Sequence, residues 1–187
     1  MVSLAALWLP ILVSAVFVFV ASSILHMVLP YHRGDYRKVP EESSAQDALR
    51  RFGIAPGDYM LPAPAGPQGA RSPEFIEKLT KGPVILMTVL PNGPPNFPAR
   101  LALWFLYCAI VGVFVAYITG RALPPGSSYL EVFRFAGCTA FMGYALALWQ
   151  NTIWYRRAWT TTFKSTVDGL IYGMLTAGVF GWLWPAA

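Results

Sequence analysis

His26, Met27 and His32 are the group of side chains in this sequence best suited to bind a metal ion. Imidazole and thioether ligands suit copper, and imidazole also suits zinc. Pro30 lies between the two histidines, so we expect His32 to fall outside the helix that carries His26. Histidines at the end of an apolar helix bond water or backbone more often than they bind a metal. The sequence therefore predicts no metal site, keeps these three residues as weak candidates, and identifies no cofactor.

Sulfur ligands occur at a second place, where Cys138 and Met142 are one helical turn apart. They belong to a different apolar segment from the histidines, so they do not complete a metal site. The other cysteine, Cys108, also lies in an apolar segment. We therefore expect free thiols inside helices rather than a disulfide framework.

Three ionisable residues fall within or beside the apolar segments, where such residues are functional candidates by default. Glu131 and Arg134 are three residues apart, so they can meet on one helix face as a structural pair. Asp168 follows Ser165 and Thr166 and would begin the last apolar segment. A carboxylate in the first turn of a helix is favoured by the helix dipole, so the sequence predicts a capping role for Asp168.

Recognised catalytic patterns are missing from the chain. There is no Gly-x-Ser-x-Gly, no His-Glu-x-x-His, no phosphate-binding loop and no dinucleotide-binding glycine pattern. The net charge of +5 is carried by basic residues that flank apolar segments, which indicates membrane orientation and not nucleic-acid binding. The sequence favours a protein that is not an enzyme and does not bind nucleic acid.

The elements that would position these side chains are four apolar segments, residues 4–29, 101–119, 130–153 and 169–184. Each is close to the roughly 20 helical residues that cross a bilayer core. The chain is 56% hydrophobic and 12% charged, against about 25% charged in a typical soluble domain. We therefore predict an all-α integral membrane protein with four transmembrane helices. Its organisation would be a first transmembrane helix (1–29), a loop (30–98) and a three-helix transmembrane region (99–187).

Small residues recur every fourth position in two of these segments. Such stripes allow close backbone packing between membrane helices, or docking of a partner helix. The bundle's own helices are the favoured contact, and a partner protein is the alternative. The stripes consist of Gly112, Ala116 and Gly120 in the second segment, and Gly169, Gly173, Ala177 and Gly181 in the fourth.

The loop 30–98 is rich in proline, glycine and charge, but it contains local helix signals. Pro40-Glu41-Glu42 opens a predicted short helix that Arg50, Arg51 and Gly53 close, with acidic residues first and basic residues last. Ser72-Pro73-Glu74 opens a second one, which ends at Lys81-Gly82. Residues 58–61 and 84–90 are short strand candidates. These few short elements can bury only a small hydrophobic core. We therefore expect a small cap on the bundle and not an independent domain.

Lysine and arginine concentrate in the first and third loops, whereas the two chain ends near the apolar segments have none. The positive-inside rule then predicts both termini outside and loops 30–98 and 154–166 in the cytoplasm. The expected location is a cell membrane, specifically a bacterial inner membrane. The expected partners are membrane lipids and other membrane subunits, or a second copy of the chain.

These features favour a non-catalytic accessory or structural subunit of a larger membrane complex, such as an energy-transducing respiratory or photosynthetic assembly. The alternative is a small oligomeric transporter or channel, whose pore could be lined by backbone and small polar groups. A membrane enzyme or metal-handling protein is a weaker third interpretation.

Overall fold

The computed structural model describes residues 1–187 and is mostly helical. The chain forms two compact units. The first comprises Met1–Tyr36 with Asn96–Ala187, and the second is Arg37–Pro95. The helices longer than one turn are α1 (Trp8–Ser23), α2 (Glu42–Arg51), α3 (Pro73–Lys81), α4 (Phe97–Ala122), α5 (Tyr129–Tyr144), α6 (Trp149–Ile153) and α7 (Trp159–Trp182), and the strands are β1 (Gly57–Leu61) and β2 (Ile85–Val89). A single helical turn, Gly66–Gly69, lies between β1 and α3.

Three helical stretches of the first unit are long and apolar enough to cross a membrane: Leu4–Val28, Phe97–Ala122 and Tyr129–Ile153. The first includes a 3₁₀ turn before α1 and a π turn, Ile24–Val28, after it. The third is interrupted by a 3₁₀ turn, Leu146–Leu148, between α5 and α6. Three such helices indicate a membrane protein, while the predicted fourth span, which corresponds to α7, stays a prediction.

The glycines of α4 lie where α1 and the chain's first residues pack against it. A Cβ built on Gly112 would lie 3.2 Å from the side chain of Ile11, and one on Gly120 would lie 2.7 Å from the carbonyl oxygen of Val2. The Val2 amide in turn donates a hydrogen bond to the Gly120 carbonyl at 2.8 Å. Ala116, between the two glycines, is also buried. These small residues let the first helix approach α4 closely.

The glycines of α7 face α5 and the turn that follows it. A Cβ on Gly169 would lie 2.7 Å from the Ala145 Cβ, and one on Gly181 would lie 2.7 Å from ring carbons of Tyr129. Gly173 lies opposite Phe141 in the same way, and Ala177 is fully buried. The stripe therefore lies on a helix–helix contact inside this chain.

The second unit contains α2, α3 and an antiparallel pair of strands. Gly57 pairs with Val89 at one end of the strand pair, and Leu61 pairs with Ile85 at the other. The Ser72 side chain accepts a hydrogen bond from the Phe75 amide and so begins α3. Phe75 is the unit's one buried hydrophobic side chain.

The sequence analysis placed residues 30–98 together in one cap, a division of the chain that stays a prediction. In the structure, residues 30–36 belong to the first unit. Side chains of Lys164 and Asp168 account for this, because they contact Tyr31, His32 and Asp35.

Candidate functional site

A cluster of charged and aromatic side chains lies at one end of the helical bundle, with His32 at its centre. The His32 Nδ1 donates to the Asp35 carboxylate at 2.6 Å. On the other side of the ring, His32 Nε2 is 3.0 Å from an Asp168 oxygen. One imidazole therefore lies between two carboxylates that come from distant parts of the chain.

Lys164 fixes the outer side of this cluster. Its ammonium donates to the Asp35 carboxylate and to the Tyr31 carbonyl, both at 2.8 Å. It also lies over the Tyr31 ring, 5.3 Å from the centroid, where a cation is attracted by the aromatic face. Lys164 thus ties α7 to the 3₁₀ turn Pro30–His32 and holds Asp35 against His32.

His26 completes the group. Its ring stacks on that of His32 with centroids 4.1 Å apart and planes inclined by 23°. His26, His32 and Asp168 each offer one ligand atom, and these atoms all lie within 4.8 Å of one another. His26 is exposed and Asp168 is buried, so the cluster opens to its surroundings on the histidine side.

The backbone between the histidines explains why they meet. The Leu29 amide donates to the Ile24 carbonyl at 3.0 Å, which closes the wide π turn. Pro30 then starts a 3₁₀ turn, and the Asp35 amide donates to the His32 carbonyl. Pro30 does end the helix, but the turn it starts brings His32 back onto His26. The geometric objection that the sequence raised against this pair is therefore removed.

The predicted first-turn capping role of Asp168 is wrong. Helix α7 begins at Trp159, so Asp168 lies more than two turns inside it and its amide is already within the helix. The sequence analysis began this element at the apolar residues, but the polar run Thr160-Thr161-Thr162 and Lys164 are helical as well. Asp168 is buried at the cluster, where its Oδ2 lies 3.0 Å from His32 Nε2.

The Asp35 carboxyl is the cluster's ionised partner. Its side chain is 10% exposed, and burial alone would raise its pKa. Hydrogen bonds from Lys164 and His32, together with their charges, outweigh burial and hold the pKa of Asp35 below its usual range. Asp35 is therefore a carboxylate at neutral pH and accepts both hydrogen bonds.

The other predicted candidates lie apart from this cluster. Met27 is exposed beside His26. Glu131 accepts from the Ser128 amide and hydroxyl in a capping box at the start of α5, and it forms no ion pair with the exposed Arg134. Cys108 is buried and Cys138 is exposed, and both are free thiols.

The cluster brings together two imidazoles, two carboxylates and one ammonium, which can bind a cation or hold a proton. No protein-family model, curated protein or solved structure matches this chain. The function of the site is therefore argued from its own geometry.

Sequence reasoning missed Asp35, Lys164 and Tyr31. The spacing His32-x-x-Asp35 is the one local signal for the first of these, because residues three apart meet in a tight turn. Lys164 is 129 residues away from Asp35, and nothing local predicts that contact.

Proposed function

We propose that this chain is a non-catalytic accessory subunit of a larger membrane complex, and that residues 37–95 bind the extramembrane part of another subunit. The observation that carries the proposal is the exposure of apolar side chains on both faces of the β1–β2 pair. Met60 and Leu86 are paired on one face and are 43% and 49% exposed. On the other face, Leu61 is 50% exposed.

A two-stranded sheet is at best marginally stable in water unless a further layer covers it. In this unit the neighbouring helices supply little cover, because α2 has no buried residue and α3 has Phe75 alone. Both strands are also edge strands, so each has unpaired backbone groups that a further strand could use. Exposed apolar side chains with free strand edges favour a protein partner over water as the neighbour of this surface.

The finer membrane topology belongs to the same proposal. Helix α7 has 24 residues, which at about 1.5 Å per residue exceeds a hydrocarbon core of about 30 Å. It has ten buried residues, more than any other helix of the bundle, so it lies among the three candidate spans. Its charged residues, Lys164 and Asp168, are confined to its first half. We therefore assign α7 as a fourth span, whose charged end lies at the membrane boundary.

Contacts near both chain ends are consistent with an even number of spans. The Val2 amide reaches the end of α4, and the Gly126 amide donates to the Pro185 carbonyl at 2.9 Å. Residues 2 and 185 therefore lie beside the two ends of the same α4–α5 connection. Together with the distribution of lysine and arginine, this supports both termini outside and loops 30–98 and 154–166 on the cytoplasmic side. The assignment to a bacterial inner membrane stays a prediction.

The test is purification of the full chain from its native membrane in mild detergent, followed by native mass measurement. We expect a stable complex with different membrane subunits, and their identity shows whether the assembly is respiratory, photosynthetic or of another kind. Leu86→Lys should lose these subunits because it places a charge in the contact surface. The matched control is Glu77→Lys, which introduces the same side chain at an exposed position of α3 and should retain them.

Two results would refute the proposal. One is a chain that purifies without other subunits and gives the same mass in the wild type and in Leu86→Lys. The other is a homo-oligomer alone, which would favour the small transporter or channel. Accessibility of a cysteine placed at Ser44 tests the topology separately. Labelling by an impermeant reagent from outside intact cells would show that the topology is the reverse of the proposed one.

A further inference from the structure

His26, His32 and Asp168 come from three separate elements: the π turn after α1, the 3₁₀ turn Pro30–His32, and α7. Their three ligand atoms lie within 4.8 Å of one another. Two imidazoles and one carboxylate are a recurrent donor set for zinc and other divalent transition metals. Convergence of this set from three elements is not explained by the accessory role proposed above.

Two polar atoms of this group, Asp168 Oδ1 and His32 Nε2, have no hydrogen-bond partner. The Asp168 side chain is 4% exposed, and its Oδ1 has no hydrogen-bond partner. Its Oδ2 is 3.0 Å from His32 Nε2, a close contact in which Nε2 forms no hydrogen bond. A buried carboxylate beside an unpaired ring nitrogen is strongly unfavourable unless a metal ion, or a proton on the ring nitrogen, satisfies both.

Asp35 and Lys164 prepare His32 for this role. The Nδ1–H group of His32 donates to Asp35, which leaves the lone pair of a neutral ring on Nε2, toward Asp168. Metal-binding histidines commonly donate their other ring N–H to a carboxylate in this way. Metal binding requires neutral imidazoles and ionised carboxyl groups, and in that state the cluster has two carboxylates and one ammonium. One negative charge is left to attract a cation.

We propose that His26, His32 and Asp168 bind one divalent transition-metal ion of the zinc class. His32 Nε2 and the Asp168 carboxylate are the buried ligands, and a ring nitrogen of the exposed His26 turns from its stack to supply the third. A fourth position remains open on the exposed side, toward a largely apolar groove lined by Phe97, Leu101 and Trp104. Asp35 and Lys164 are positioning residues.

The competing explanation is a proton in place of the metal, with His32 as an imidazolium between Asp35 and Asp168. Calorimetric titration of ZnCl₂ into the purified full chain distinguishes the two. The protein is kept in detergent, stripped with EDTA and freed of its purification tag. We expect one Zn²⁺ per chain in the wild type. Co²⁺ should bind in competition with Zn²⁺ and give the visible absorption of a site with nitrogen and oxygen ligands.

Variants then assign the ligands. His26→Ala removes an exposed ligand and is expected to fold, and it should weaken Zn²⁺ binding at least 10-fold. His32→Ala should abolish binding, and Asp35→Asn should weaken it by roughly 10–100-fold, the usual effect of losing the carboxylate behind a ligand histidine. The matched control is Asp47→Asn, which changes an exposed carboxylate paired with Arg50 in α2 and should leave binding unchanged.

The proposal is overturned if the folded wild-type chain binds no Zn²⁺, or if His26→Ala and His32→Ala bind it as the wild type does. Absence of Zn²⁺ binding by the folded wild type would favour the proton bridge instead. Should a buried variant fail to fold, His26→Ala and the wild-type stoichiometry still decide the question. The accessory-subunit proposal is tested at Leu86, so the two proposals can fail separately.

Discussion

Replacement of Gly169 by alanine tests how tightly α7 packs against α5. A Cβ at this position would lie 2.7 Å from the Ala145 Cβ and 3.3 Å from the Ala145 Cα. Neither atom is the end of a flexible side chain, so the backbones must separate. Overpacking of this kind costs about 1–3 kcal/mol.

Gly178→Ala in the same helix is the matched control. Its Cβ would meet the Tyr129 hydroxyl oxygen at 3.6 Å, an ordinary contact. Both substitutions gain about 0.5–1 kcal/mol because alanine is the better helix former. That gain cancels when the two variants are compared, so the difference in their unfolding free energies measures the steric cost at Gly169.

The assay is thermal unfolding of the two variants in the same detergent with EDTA present, so that the metal proposal does not affect the comparison. For a chain of this size, each kcal/mol shifts the melting temperature by about 2–4 °C. Gly169→Ala should therefore melt several degrees below Gly178→Ala. Equal melting temperatures, or a more stable Gly169→Ala, would refute the close packing described for α7.

Two further predictions concern the polar cluster. Lys164→Met should destabilise the protein by about 1–3 kcal/mol because it leaves Asp35 without its charged donor. Lys78→Met removes an exposed ion pair with Glu74 and should leave the unfolding free energy nearly unchanged, so equal losses of the two variants in chemical denaturation would contradict the prediction. Because the pKa of Asp35 is lowered in the folded state, its contribution to stability is present above about pH 4 and is lost as pH falls below that value. The wild type should therefore lose more stability than Asp35→Asn on acidification from pH 5 to pH 3, and parallel curves for the two proteins would show that the paired carboxylate is not stabilising.

The secondary structure could largely be predicted because its determinants are local. Apolar length alone identifies the helices Leu4–Val28 and Phe97–Ala122. Ser72 and Gly82 mark the ends of α3 through a side-chain cap and a positive φ of 63°. These features depend on residues within a few positions of each other, which is the range over which sequence patterns carry information.

The polar cluster could not be predicted because its contacts are not local. Lys164 and the Tyr31 carbonyl are 133 residues apart, and the start of α7 lies ten residues before the apolar segment that was used to place it. The interruption of the third span at Leu146–Leu148 could not be predicted either, because this turn contains no proline or glycine. Just before this interruption, the Gly143 carbonyl accepts a hydrogen bond from the Tyr107 hydroxyl at 2.7 Å, so its partner comes from another helix.

The wide turn Ile24–Val28 has a genetic consequence. It contains one residue more than an α-helical turn, and that extra residue sets the direction of His26. Loss of a single codon within it would leave an apolar segment still long enough to cross a bilayer, yet it would rotate the preceding side chains by roughly 100° relative to His32. Such a deletion would change neither the overall hydropathy of the segment nor its insertion into a membrane. Its effect would appear only in the pairing of the two imidazoles.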